Sequence, residues 1–260
     1  MTQGMGYVDP AYLDAAARLA AGGKRLSYER MRISPGATVL DVGCGPGTDT
    51  RALAEIVGAG GFVHGIDHDR EMVEEAERRA AAEGLAGRVE HRQGDAYALP
   101  FADATFDAVR SERLFLHLDR PDRATAEMVR VTKPGGRVVV ADTDWGTRSV
   151  DTPEVEAERK IARVLAEHCL ANGYSGRRLY GLMRGAGVRD LAVDLIPLHV
   201  DGYELWRLLS RMEMAFEEAV RTGAMTEDEV RRLDDSFRDR DAAGTFFAST
   251  TVVMVSGTKP

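Results

Sequence analysis

The chain has 260 residues, of which 44% are hydrophobic and 29% charged, a composition typical of globular proteins rather than disordered or collagen-like ones. Its 34 basic and 42 acidic residues give a net charge of −8, so phosphate backbones are repelled and a nucleic-acid partner is disfavoured. Cys44 and Cys169 are too few for a disulfide framework or a structural zinc site, which predicts a reducing, cytoplasmic setting. No apolar run approaches the roughly 18 residues of a membrane span, and no secretory signal is visible at the start.

Helix and strand signals alternate along the first half of the chain. Asp9-Pro10 begins, and Gly22-Gly23 ends, a predicted helical cap within residues 1–24, followed by a basic-polar stretch at 24–32. Strands are predicted at Thr38–Val42, 61–67, 88–94, 106–110 and 137–142, with helices at Thr48–Val57, 70–83 and Pro121–Val131 between them. Lys133-Pro134-Gly135-Gly136 predicts a turn before the fifth strand. Such alternation indicates a parallel sheet with helices on both faces.

The second half has a different pattern. It predicts one long helix over residues 153–172, strands at 191–200 and 245–257, an apolar helix over 203–220 and a more charged helix over 226–240. A helix that is apolar over most of its circumference is normally buried on two sides, so 203–220 is expected to cover the sheet as a lid. We predict one domain over 1–260, with a cofactor-binding core at 25–145, substrate-side helices and the lid at 146–243, and a final strand at 244–260.

Residues 39–47 form an apolar strand that ends at Asp41 and leads into Gly43, Gly45 and Gly47, after which a helix begins. Glycines let a ligand approach the backbone, and helix-start amides attract anionic groups, so this loop also suits a dinucleotide pyrophosphate. Its spacing, however, is Gly-x-Gly-x-Gly rather than Gly-x-Gly-x-x-Gly. Asp67 ends the second strand, where it can accept hydrogen bonds from both ribose hydroxyls, and Asp95 follows the third, where it can meet an adenine amine. Carboxylates on this rim indicate a cationic adenosine-containing ligand.

These motifs resemble the class I S-adenosylmethionine-dependent methyltransferases, in particular the branch with ubiquinone and menaquinone methyltransferases (type 11) and bacterial natural-product methyltransferases. The segments that carry the resemblance are 39–47, Gly65-Ile66-Asp67, Gly94-Asp95-Ala96, 99–101, 106–109 and 130–140. The resemblance implies a Rossmann-like α/β fold with a seven-stranded, mostly parallel sheet whose last strand is antiparallel. It also implies S-adenosylmethionine as cofactor and S-adenosylhomocysteine as product.

The matching motifs suggest most of the site residues, and Tyr7, Tyr203 and Trp206 are added from outside the matching core as residues expected to close or line the pocket. The expected cofactor-binding residues are Tyr7, Asp41, Gly43, Cys44, Gly45, Gly47, Asp67, His68, Asp95, Ala96 and Ser111. Cys44 is expected to fill space in the loop rather than act as a nucleophile, and His68 either packs at the adenosine or lies on the surface. His117 is the candidate catalytic base, with a histidine packed beside the helix as the alternative. The expected acceptor-pocket residues are Asp142, Asp144, Trp145, Tyr203 and Trp206, and no metal is expected.

The sequence therefore predicts transfer of a methyl group to a small, hydrophobic or aromatic metabolite, as in secondary metabolism. Whether the acceptor atom is carbon, oxygen or nitrogen stays open, and a homodimer is compatible with the sequence. The alternatives are a non-catalytic S-adenosylmethionine-binding subunit of another enzyme and a nicotinamide-dependent oxidoreductase. An Asn/Asp-Pro-Pro-Tyr/Phe motif does not follow the fourth strand, where Ser111-Glu112-Arg113-Leu114 stands, so methylation of protein amides or nucleic-acid adenines is disfavoured.

Overall fold

The computed structural model describes residues 21–260. Tyr7 and the greater part of the predicted N-terminal cap therefore lie outside the described residues. The helices are α1 (Ala21–Met31), α2 (Thr48–Val57), α3 (Arg70–Ala82), α4 (Pro121–Val131), α5 (Val155–Val164), α6 (Ser175–Gly185), α7 (Tyr203–Ser210), α8 (Met212–Arg221) and α9 (Glu227–Ala242). The strands are β1 (Thr38–Val42), β2 (Phe62–Asp67), β3 (Val89–Gln93), β4 (Phe106–Glu112), β5 (Thr132–Val150), β6 (Arg189–Val200) and β7 (Ala248–Thr258).

The seven strands form one sheet in the order β3-β2-β1-β4-β5-β7-β6. The pairs β1–β2, β1–β4, β2–β3 and β4–β5 are parallel. Just after the end of β7, the carbonyl of Lys259 accepts a hydrogen bond from the amide of Gly135, and the amide of Lys259 donates to the carbonyl of Gly136. Just before the start of β7, the carbonyl of Phe247 accepts from the amide of Asp151, which follows the last residue of β5. These contacts join the start of β7 to the end of β5, so β7 is antiparallel. The predicted fold class is confirmed.

The chain divides into two compact units. We call Lys24–Asp144, Tyr174–Ile196 and Val252–Pro260 the sheet unit. Trp145–Gly173 and Pro197–Thr251 belong to the other, which we call the helical unit.

Alternating residues of β1 face two different apolar layers of the sheet unit. Leu40 belongs to the layer that includes Met128 of α4 and Leu179 of α6. Val39 belongs to the layer that includes Leu53 of α2 and Ala80 of α3. Because successive side chains of a strand point to opposite faces, this pattern covers the parallel strands on both sides, as their apolar sequences require.

Several predicted boundaries are wrong. The helix predicted over 153–172 is α5 followed by a π-helical turn at Leu165–Cys169. The helix predicted over 203–220 is α7 and α8, because Arg211 between them has a left-handed backbone (φ 50°). Gly22 and Gly23, which were expected to end a helix, lie inside α1. The predicted turn at residues 133–136 is an irregularity within β5, where Phe106 pairs with Thr132 and Ala108 already pairs with Arg137.

Candidate functional site: the carboxyl edge of the sheet

The glycine loop after β1 has a backbone that side chains would strain. Gly43, Gly45 and Gly47 all have positive φ, at 77°, 51° and 75°. A Cβ on Gly47 would lie 2.9 Å from the Cβ of Ala76, so the loop also packs closely against α3. The amides of Gly43 and Cys44 donate to the carbonyl of Ile66 at 2.7 and 3.0 Å, which fixes the loop to β2.

One side of this loop is open. A Cβ built on Gly45 meets no atom within 4 Å, unlike one built on Gly43, which lies 3.1 Å from Leu114. Ser111 on β4 pairs with Val42 in the sheet register, immediately before the loop. Its hydroxyl is buried and has no hydrogen-bond partner among residues 21–260. A buried, unpartnered hydroxyl is costly, so a polar group of a ligand is its expected partner.

Asp67 links the end of β2 to the glycine loop. Its Oδ2 accepts a hydrogen bond from the amide of Gly45 at 2.8 Å, and its Oδ1 accepts from the amide of Asp69 at 3.0 Å. The N-cap of α3 is Asp69, whose side chain accepts from the amides of Glu71 and Met72. Asp67 therefore does not cap the helix, and its carboxylate keeps lone pairs for hydroxyl donors. His68 beside it is exposed, with Nδ1 3.4 Å from Oδ1 of Asp67.

Asp95 follows β3 in a tight turn. Its Oδ1 accepts a hydrogen bond from the amide of Tyr97 at 2.8 Å, and its side chain is exposed. Ala96 is half-buried and packs against the apolar layer that contains Ile66. Since β3, β2, β1 and β4 are neighbours, the sheet brings the turns after them to one edge.

Asp41 lies in a buried network of charges. The Arg110 guanidinium on β4 is 1% exposed and lies 3.3 Å from Asp41 and 3.1 Å from Asp49. Lys24 of α1 lies 2.7 Å from Asp49 and 3.2 Å from Glu112, which also pairs with Arg110. Burial raises the pKa of Asp41 to about 7, although Arg110 opposes the shift. Three carboxylates thus share two cations, an excess of negative charge that favours a cation nearby.

Sequence reasoning missed the partners in this network. Arg110 and Asp49 stand on a strand and a helix that were both predicted, but the sequence alone does not show which polar side chains share a face. Burial would raise the pKa of Asp49, but Arg110 and Lys24 hold it below its usual range. The phenol of Tyr28 also donates to Asp49. An arginine directly after the apolar residues Ala108 and Val109 of a predicted strand was the available signal.

Cys44 is buried in the loop. Burial raises the pKa of its thiol well above the usual value, and the carboxylates of Asp41 and Asp67 raise it further. A thiol held in its protonated form is a poor nucleophile, which agrees with a space-filling role.

His117 lies on a short 3₁₀ turn, Phe115–His117, that follows β4. The turn is fastened by Asp142 of β5, whose Oδ2 accepts a hydrogen bond from the amide of Leu116 at 2.8 Å. The other carboxylate oxygen accepts from the amide of Thr143 at 2.7 Å, and the side chain is fully buried. The His117 side chain is exposed. Asp142 therefore holds the turn that carries His117.

Asp144 is also engaged inside the sheet unit. It is 2% exposed, and its Oδ2 accepts a hydrogen bond from Nε of Arg177 at 2.6 Å. Gly176 lies against it, since a Cβ there would be 2.9 Å from the Asp144 amide nitrogen. This carboxylate thus anchors the start of α6.

The aromatic residues predicted for the acceptor pocket belong to the helical unit. Tyr203 and Trp206 are 1% and 2% exposed within its core, and the Tyr203 hydroxyl donates to Asp234. Trp145 is half-buried against the same core. The indole nitrogens of Trp145 and Trp206 are buried without hydrogen-bond partners.

Within residues 21–260, no group of three or more His, Cys, Asp or Glu side chains is arranged to hold a metal ion. In the same range, no helix combines the length and the apolar character that crossing a membrane requires.

A family model described as a methyltransferase domain matches residues 39–136, the segment that contains the glycine loop and the turns after β2, β3 and β4. The chain is 31% identical over 190 residues to a demethylmenaquinone methyltransferase of Lactobacillus johnsonii, a match that covers 68% of this chain and 78% of that protein. The chain belongs to the class I S-adenosylmethionine-dependent methyltransferases.

This methyltransferase is also similar to an uncharacterized 37.1 kDa protein in transposon Tn4556 of Streptomyces fradiae. The identity is 36% over 248 residues, which cover 94% of this chain and 70% of that one. Its fold matches the YcgJ protein of Bacillus subtilis with a TM-score of 0.64 at 19% identity, over 92% of this chain and 98% of that chain. The predicted family, enzyme class and cofactor are confirmed.

The residues at the carboxyl edge fit S-adenosylmethionine. The Ser111 hydroxyl is a buried group without a partner, and the side of the loop at Gly45 admits close approach of a ligand. Asp67 offers carboxylate lone pairs suited to ribose hydroxyls. The excess of carboxylates around Asp41 suits the cofactor's positive charge.

Proposed function

We propose that the protein transfers the methyl group of S-adenosylmethionine to a small hydrophobic or aromatic metabolite. The observation that carries this proposal is the turn Phe115–His117, which Asp142 fastens at the carboxyl end of β4. The same strand carries Ser111 beside the glycine loop. An exposed imidazole is thus held on the strand that borders the cofactor-binding loop.

The cofactor is assigned to the carboxyl edge of the sheet residue by residue. Asp67 binds the two ribose hydroxyls, with His68 packed at the adenosine, and Asp95 with Ala96 binds the adenine. The glycine loop with Cys44, the Ser111 hydroxyl and the negative charge around Asp41 hold the methionine end. Tyr7, outside the described residues, is proposed to close over it. When bound, the cofactor supplies a methyl group on a positively charged sulfur.

Because that sulfonium already activates the methyl group, the protein's task is to align the acceptor and to exclude water. His117 accepts a proton at its imidazole where the acceptor must lose one. The His117 imidazole is exposed, so it can pass the proton on to solvent.

The flat, apolar character of the acceptor is supported by the aromatic side chains of the helical unit. Tyr203 lies 5.4 Å from Phe237 and 5.5 Å from Phe246 between ring centroids. Trp145 and Trp206 add indole surfaces to the same core. The name of the Lactobacillus johnsonii relative, demethylmenaquinone methyltransferase, points to a ring of this kind.

The test is a methyl-transfer assay with cofactor labelled in its methyl group and a panel of acceptors: a naphthalene diol, a catechol and an aromatic amine. We expect label in at least one organic product, with retained turnover in His199→Ala, which removes an exposed histidine on β6. His117→Ala should reduce turnover on an acceptor that must lose a proton. Transfer to none of these rings, but to a polar, non-aromatic acceptor, would contradict the proposed acceptor class.

A further inference from the structure

The helical unit contains a buried arginine whose charge is not neutralised by a hydrogen-bonded partner. Arg148 on β5 is 0% exposed, and its Nε and Nη1 have no hydrogen-bond partner in the part of the chain that the structure describes. Its Nη2 contacts the sulfur of Met212 at 3.4 Å, and a thioether is a weak acceptor. Burial lowers the pKa of Arg148 to about 10, and the guanidinium stays charged at neutral pH.

The surroundings of Arg148 supply more unpartnered donors. Its guanidinium carbon lies 5.2 Å from the ring centroid of Trp206, and the indole nitrogen of Trp206 is itself buried without a partner. A cation over an aromatic ring recovers part of the cost of burial but satisfies no N–H group. Three N–H groups around one positive charge therefore lack an acceptor.

Glu158 is the carboxylate whose charge acts on Arg148, but it accepts no hydrogen bond from the guanidinium. Glu158 is 2% exposed, and its Oε1 has no hydrogen-bond partner. Its Oε2 lies 3.4 Å from Nε of Arg159, a half-exposed residue that faces it from the next position of α5. Burial raises the pKa of Glu158, although the charge of Arg148 opposes the shift. The two buried charges are close enough to interact but not hydrogen-bonded.

Leaving a buried guanidinium with unmade hydrogen bonds destabilises a protein, and replacing a buried ion pair by apolar residues is often neutral or stabilising. Such an arrangement in a chain with a small-molecule substrate is typical of a binding site that a ligand completes. A carboxylate or an ionised hydroxyl of a ligand would neutralise the charge of Arg148 and accept hydrogen bonds from its N–H groups. An aromatic ring in the same ligand would pack against the indole of Trp206.

We propose that Arg148 and the indole N–H of Trp206 bind the anionic oxygen of an aromatic carboxylate or phenolate within the helical unit. Arg148 is thereby a ligand-binding residue that sequence reasoning did not identify.

The probes are beta-naphthoate with its neutral amide, and para-nitrophenolate with its neutral methyl ether, titrated calorimetrically into the protein saturated with S-adenosylhomocysteine. At least one anion should bind about ten-fold or more tightly than its neutral partner. If beta-naphthoate shows this preference the site binds a carboxylate, and if para-nitrophenolate shows it the site binds a phenolate. Arg148→Met should abolish that preference, and the matched control Arg163→Met, at an exposed position of α5, should keep it. Glu158→Gln should strengthen anion binding, because it removes a repelling charge.

Thermal unfolding separates a binding role from a structural one. Without ligand, the double variant Arg148→Met/Glu158→Gln should unfold at a temperature no lower than the wild-type protein, since it removes both buried charges together and leaves no uncompensated carboxylate. A lower unfolding temperature of this variant with unchanged anion preference would overturn the proposal, as would equal binding of each anion and its neutral partner, or binding of neither.

Discussion

Replacing Gly45 by alanine separates backbone strain from contact with the cofactor. Gly45 has φ 51°, and a Cβ there would meet no protein atom within 4 Å. Gly84, after the C-terminal end of α3, has φ 70° and equally open surroundings, so Gly84→Ala is a matched control. A left-handed backbone costs a non-glycine residue about 1–2 kcal/mol, so both variants should lose a similar amount of stability. That loss corresponds to a decrease of roughly 2–8 °C in Tm for a chain of this size.

Only Gly45→Ala should weaken cofactor binding. The methyl group would occupy the side of the loop from which the cofactor approaches, and an overpacked contact costs about 1–3 kcal/mol. This converts to a Kd for S-adenosylhomocysteine that is higher by roughly 5- to 150-fold. The assay is calorimetric titration of the wild-type protein and both variants, with Tm measured in parallel. Equal affinity of all three proteins at equal loss of Tm would refute the argument that the ligand contacts this loop.

Four further predictions follow from the site. His117→Ala should keep cofactor affinity and reduce kcat by about 10²-fold on an acceptor that must lose a proton; full turnover on that acceptor would make His117 structural. Arg110→Met should lower the free energy of unfolding by about 3–5 kcal/mol in urea, since it leaves buried carboxylates unpaired; a loss below about 1 kcal/mol would contradict the role of the network. Burial raises the pKa of Asp142 to about 7, above its value in the unfolded chain, so the stability it contributes is full at low pH and is lost as pH rises through about 7. Urea unfolding between pH 5 and 8 should therefore show a smaller decline in Asp142→Asn than in the wild-type protein, and an identical decline would contradict the shift. Finally, beta-naphthoate or para-nitrophenolate should lose its advantage over its neutral partner in Arg148→Met but not in Arg163→Met.

The sequence predicted the elements whose signals are local. The helices Thr48–Val57 and Pro121–Val131 and the strand Thr38–Val42 have the predicted bounds, because apolar spacing and the neighbouring Gly and Pro residues mark them. Helix α1 was missed because its sequence has no apolar stripe. Besides the apolar contacts of Met31, it makes ion pairs: Lys24 pairs with Asp49 and Glu112, and Arg30 pairs with Asp194. Such partners are far away in the sequence, and no local pattern indicates them.

The candidate site likewise contains residues that local sequence patterns indicate and residues that only the fold identifies. Glycine spacing and acidic residues at strand ends indicated where a ligand binds, since both depend on local backbone chemistry. The roles of Asp142 and Asp144 could not be read in this way. Both follow a strand on the expected rim, but their oxygens are used by Leu116, Thr143 and Arg177, which only the fold brings to them. Arg148 was missed because an arginine near the end of a strand is ordinarily a solvated residue.

The most direct test of this account is calorimetric titration of the wild-type protein and Asp67→Ala with S-adenosylhomocysteine and with NADH. Asp67 joins β2 to the glycine loop through the Gly45 amide and is proposed to bind both ribose hydroxyls. The account predicts that S-adenosylhomocysteine saturates one site on the wild-type protein, that NADH does not bind, and that Asp67→Ala weakens binding by about 10- to 100-fold through loss of hydrogen bonds to an ionised acceptor. Unchanged S-adenosylhomocysteine affinity in Asp67→Ala, or binding of NADH in its place, would contradict it.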